Sequence, residues 1–144
     1  QARILVGRSP FKKKYVITPE YEAVKVTSRG EISVGGKAFH GDVILRVDGK
    51  ARLREQGHVK ELYGTSHRIG TEEVAGICKG GPEVLFIGTG RSARRELTDD
   101  AEHFLRRRAI EVHVHPTARA AALYNQCDRR KAALLEAALT PREK

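Results

Sequence analysis

The sequence predicts a single α/β domain of three layers around a mixed central sheet, and three observations carry that prediction. Residues Tyr21 to Leu53 break into short alternating or apolar runs separated by turns, the pattern of a β-meander. From Thr71 onward, helical and strand patterns alternate, as they do where a sheet is covered by helices. Between Val84 and Ile87 the run EVLFIG is apolar at every position, which marks a strand covered on both faces.

Taken in order, residues 1–20 are an N-terminal extension, in which RILVG has strand composition and RSPFKKK reads as a basic loop, ahead of one α/β domain over residues 21–144. In the meander, YEAVKVTS alternates, EISVGG ends in glycines, and DVILRV runs into the turn dipeptide Asp48-Gly49. Thr71 is expected to cap a helix carrying Val74, Ile77 and Cys78, which Gly80-Gly81-Pro82 stops. The strand Glu83 to Gly88 follows. Thr98 with Asp99 and Asp100 then starts a helix that closes on Arg106, Arg107 and Arg108, where its dipole is negative. With the strand Ile110 to Val114 these make one βαβ unit, expected to be parallel and right-handed. Pro116 and Thr117 open a long C-terminal helix, with Ala120, Leu123, Cys127, Leu134 and Ala138 on one face.

Composition bounds the partners. Lys+Arg 27 against Asp+Glu 18 leaves a net charge of +9, which favours anionic partners without choosing among them. Cys78 and Cys127 lack metal spacing and are too few for a disulfide framework, so both read as buried reduced thiols of a cytoplasmic protein. No apolar run reaches the roughly 20 residues of a membrane helix. The chain begins at Gln1 without a Met, so a mitochondrial location stays open beside the cytoplasmic one, for the case in which a targeting segment has been removed.

Gly88-Thr89-Gly90-Arg91-Ser92-Ala93 satisfies the dinucleotide fingerprint formally, but the helix caps lie ten residues further on at Thr98, so the glycines do not open a helix. No cofactor is expected. A structural corner is the preferred reading, and a weaker anion site helped by Arg91, Arg94 and Arg95 is the functional one. His113 and His115 share one strand face but lack a third ligand nearby, so no metal is expected. The basic clusters around Lys12, Arg91 and Arg129 are not interleaved with aromatics, which argues against nucleic acid. Ser66 and His67 are neighbours that diverge, and no catalytic triad can be assembled.

In YGTSHRIGTEEV, in EVLFIGTG and in PTARAAALYNQCDRRKAAL the sequence resembles a small family of unknown function first seen in a methanogenic archaeon. Animal relatives of that family include an adipogenesis-associated protein and mitochondrial complex I assembly factor three. The resemblance runs from Gly30 to Leu139, and its most specific parts are Gly64-Thr65-Ser66-His67, the glycine turn, Thr117 and Tyr124-Asn125. It implies a compact three-layer domain with a cleft near Gly88-Thr89-Gly90, and partners that are proteins rather than substrates. Ala93 departs from a common glycine, the ending EAALTPREK replaces one that closes on a cysteine, and residues 1–20 have no counterpart.

Three functions stay open. The first is a non-enzymatic binding or assembly-type protein with a polar cleft formed by Thr65, Ser66, His67, Gly88, Thr89, Gly90, Arg91 and Asn125. The second is an enzyme acting on a small anion, with His67 as acid or base. The third is a nucleic-acid accessory protein. Thr65, His67 and Asn125 also have a structural reading, the satisfaction of buried backbone groups in loops.

Overall fold

The computed structural model describes residues 20–55, 68–89 and 96–137. The described residues open with a three-stranded antiparallel sheet, β1 (Val24–Val26), β2 (Ile32–Val34) and β3 (Lys37–Phe39). It continues as a hairpin of β4 (Val43–Leu45) and β5 (Ala51–Leu53). The Asp48-Gly49 turn forms as expected: Gly49 adopts φ 90, and its N–H donates to Arg46 O at 2.9 Å.

β6 (Arg68–Ile69) leads into α1 (Thr71–Ile77), β7 (Val84–Gly88) and β8 (Glu96–Leu97). α2 (Asp99–Arg107), β9 (Glu111–His115), α3 (Thr117–Gln126) and β10 (Lys131–Leu135) complete the described elements. Thr98 caps α2 through its side chain, which accepts from Ala101 N at 3.1 Å. Thr71 does not cap α1. Gly70 holds the N-cap position instead, and the Thr71 hydroxyl is buried without a hydrogen-bond partner among the described residues.

The principal sheet has the strand order β5-β4-β10-β7-β9. β7 is parallel to both β9 and β10, while β10 is antiparallel to β4, so the sheet is mixed. This corrects the expected long C-terminal helix. The helix ends at Gln126, and KAALL is a central strand with all five residues buried. Ala and Leu are strong helix formers, and a short apolar run has no period of its own to separate buried strand from buried helix. Placement between β4 and β7 decides it. The strand also adds a second βαβ unit, β9-α3-β10, where the sequence predicted one.

The connection from β7 to β9 runs through α2, and the return to the far side of β7 runs through α3. Reversing direction along the sheet puts the two helices on opposite faces if both crossovers keep the common hand. The cores agree. Leu85, Ile87 and Leu134 pack against Val74, Ile77, Ala101 and Leu105 of α1 and α2. Phe86, Ala133 and Leu135 pack against Ala120 and Tyr124 of α3 and against Val24 and Ile32 of the small sheet. The sheet is therefore the middle of three layers. No helix among the described residues is long and apolar enough to cross a membrane.

Candidate functional site

The strands β7, β9 and β10 end together, at Gly88, His115 and Leu135. Their connections leave to opposite faces here, which is where open α/β sheets leave a crevice. Gly88 is needed for close approach rather than for an unusual backbone angle. A Cβ on it would stand 2.9 Å from both Cα and Oγ1 of Thr117, so only glycine lets α3 begin this close to the strand.

The hydroxyls at this edge are engaged. Thr117 Oγ1 donates to Glu136 O at 2.6 Å, and Glu136 N donates to Gly88 O at 3.0 Å. Thr89, 2% exposed, donates from its N–H to His115 O at 2.9 Å. α3 itself starts with Pro116 at the N-cap and no capping side chain.

Asn125 sits at the opposite end of α3. Its Oδ1 accepts from Val24 N at 2.9 Å and its Nδ2 donates to Val24 O at 2.8 Å, so the amide pairs with β1 as a neighbouring strand would. Of the residues expected around the cleft, Gly88 and Thr89 meet at the carboxyl edge. Thr65, Ser66, His67, Gly90 and Arg91 lie outside the described residues, as do Arg94 and Arg95.

Sequence reasoning missed a buried ion cluster beside the same edge. Arg54, its side chain fully covered, grips Glu73 at both oxygens, Nε to Oε2 at 2.6 Å and Nη2 to Oε1 at 2.8 Å. Its Nη1 lies 3.4 Å from Asp42 Oδ2, and Nη2 donates to Arg68 O at 3.2 Å. Asp42 Oδ1 in turn accepts from Ala137 N at 2.9 Å. Burial works against the guanidinium charge, and Glu73 followed by Asp42 more than restores it, leaving its pKa above the ordinary arginine value. One signal was legible: Asp42 and Arg54 flank the β4-β5 hairpin at matching positions, with Arg54 N donating to Asp42 O.

β9 offers a different surface. Among the described residues it has a strand neighbour on one side only, β7. Glu111 N donates to Glu83 O and His115 O accepts from Thr89 N, so alternation turns the N–H and C=O of Val112 and Val114 outward. Their side chains lie on the α2 face, where Leu97, Leu105, Ile110, Val112 and Val114 line a groove of about 370 Å³ together with the charged Glu102 and Arg106. Val114 is 45% exposed.

On the other face His113 and His115 stack at 6.2 Å, as their alternation predicted, and His113 stacks on Phe86 at 5.5 Å. His113 Nε2 lies 2.6 Å from Glu111 Oε2, and with Arg129 it holds the Glu111 carboxyl below its usual range.

Residues 24–136 match the family described as protein of unknown function (DUF498/DUF598), and the chain belongs to that family. Among solved structures it is similar to the conserved hypothetical protein PH1505 from Pyrococcus horikoshii OT3, with 24% identity over 79% of this chain and 97% of that one, at TM-score 0.71. It is also similar to the methanogen protein MT938, with 25% identity, 81% and 97% coverage and TM-score 0.67. A Mth938-like domain from Bordetella pertussis shares 18% identity over 85% of this chain and 89% of its own, at TM-score 0.56. No curated protein sequence matches the chain at a significant level.

Proposed function

We propose that the protein is a non-enzymatic binding protein that takes up an extended segment of a partner protein along β9. One observation carries this reading: a strand that, among the described residues, is an edge, turns the backbone groups of Val112 and Val114 outward, and stands above a largely apolar groove with Val114 45% exposed. Unpaired edges are ordinarily blunted by charge, proline or covering elements, and a bare one with apolar side chains is a template for strand addition. The sequence resemblance to a family whose animal relatives include a complex I assembly factor and an adipogenesis-associated protein supports a role exercised through protein partners.

Val114→Pro tests it, because proline removes an outward N–H while the bonds to β7 are made by the alternate residues. Capture from native lysate followed by cross-linking should give a partner joined near β9 by the wild-type protein and not by Val114→Pro. Equal capture by both ends the proposal.

A second reading, a small anion held in the polar cleft beside Gly88 and Thr89, is favoured by the uncapped start of α3 at that edge. Inorganic phosphate added at constant ionic strength would then raise the melting temperature. An unchanged melting temperature discards this reading.

A further inference from the structure

The groove along β9 adjoins a second hollow at Ile110. Ile110 also borders a second cavity of about 520 Å³, lined by Cys78, Gly81, Pro82, Arg107 and Arg108. Arg107 and Arg108 are exposed at the end of α2, and neither makes an ion pair among the described residues. The Arg108 guanidinium lies over the Phe104 ring, 4.5 Å from its centroid, which fixes the direction in which it presents its donors. Arg106, on the same last turn, borders the groove itself.

The groove and the arginine cavity therefore meet at Ile110, and Arg107 and Arg108 precede the first residues of β9. Guanidinium groups present planar, forked donors that match a carboxylate. Here they are not committed to a carboxylate of the described protein.

Building on the reading that β9 receives a partner strand, we infer that the partner segment is acidic at one end. It runs antiparallel to β9, lays alternate apolar side chains into the groove of Leu97, Leu105, Val112 and Val114, and closes with Asp or Glu side chains between Arg107 and Arg108. Antiparallel pairing brings the segment's C-terminal end beside the first residues of β9, where the arginines are, and it is slightly the more stable arrangement per residue. A second copy of this chain is a poor occupant. It would bring its own net charge of +9 to an already basic face.

The test uses the full chain and a fluorescein-labelled peptide of alternating Val and Thr that ends in two Glu residues, against a twin ending in two Gln. The Glu peptide should bind about tenfold tighter, in line with charge-assisted hydrogen bonds. The preference should vanish in Arg107→Gln/Arg108→Gln, which leaves the groove intact, and it should weaken with salt. Val114→Pro should abolish binding of both peptides.

The outcomes separate the two ideas. Equal binding of both peptides, still lost in Val114→Pro, overturns the acidic end and leaves the strand-addition reading standing. Binding that survives Val114→Pro overturns both, as does the absence of binding by either peptide. Sedimentation showing a dimer that Val114→Pro dissociates replaces the acidic segment with a second copy. Tighter binding of a single-stranded oligonucleotide than of the Glu peptide replaces it with nucleic acid.

Discussion

Replacing Arg54 by methionine is expected to destabilise the protein by about 3–5 kcal/mol, the range found when one member of a buried ion pair is removed. Methionine fills much of the volume and supplies none of the donors. Glu73 then loses both of its guanidinium contacts, and Asp42, 4% exposed, loses a cation while still holding Ala137 N. The cost falls on several elements at once, because Arg54 ties the β4-β5 hairpin to α1 and to the Arg68 carbonyl. Urea unfolding should report the loss directly, with a drop in melting temperature of roughly 10 °C or more. Adding Glu73→Leu to the methionine variant should recover part of the stability, since an apolar pair removes the stranded charge. A methionine variant as stable as the parent would mean that the cluster contributes nothing net.

Lys131→Met is expected to cost about 2–3 kcal/mol. Lys131 opens β10 but is 4% exposed, and its ammonium closes the end of α3, donating to Tyr124 O and, at 2.6 Å, to Cys127 O. It also lies over two ring faces, 4.1 Å from the Tyr124 centroid and 4.9 Å from that of Tyr21. Burial draws its pKa below the ordinary lysine value, so holding the charge there has a cost that the carbonyls and rings offset. Methionine retains the length and the packing and removes the donor and the charge. Stability measured by denaturant unfolding decides the matter, and a change below about 0.5 kcal/mol, the ordinary surface level, would show that water or backbone adjustment replaces the ammonium fully.

These two residues also show what the sequence withholds. A lysine at the head of KAALL and an arginine after a hairpin both look like surface charges, because burial of either depends on tertiary packing, in part on partners distant in the chain. Tyr21 and Lys131 are 110 residues apart, and Arg54 and Glu73 are 19 apart. Local signals were read well where the physics is local: the Thr98 cap, the Asp48-Gly49 turn, the apolar run of β7 and the pairing of His113 with His115 on one face. The C-terminal strand was read as helix because its composition favours helix and its strand form exists only between two other strands. Of the residues expected around the glycine turn, only three lie among the described residues. Gly88 and Thr89 stand at the edge, while Asn125 pairs with β1 at the other end of α3. The β9 edge was not legible at all, since nothing in EVHVH tells whether a strand has one neighbour or two.

The position of β10 bears on how the protein is made. Among the described strands, residues 131–135 alone pair the hairpin that holds β4 with β7 and, through it, β9. While the chain is emerging from the ribosome, β4 and β7 face a gap, each with an unfilled row of amides and carbonyls, until the last of these residues appears. Joining of β4 to β7 in this sheet therefore waits for residues 131–135, a pairing of long sequence separation that forms late and leaves both strand edges exposed until then. Slowing elongation between the codons of β7 and those of β10 should hurt yield more than slowing it ahead of β4.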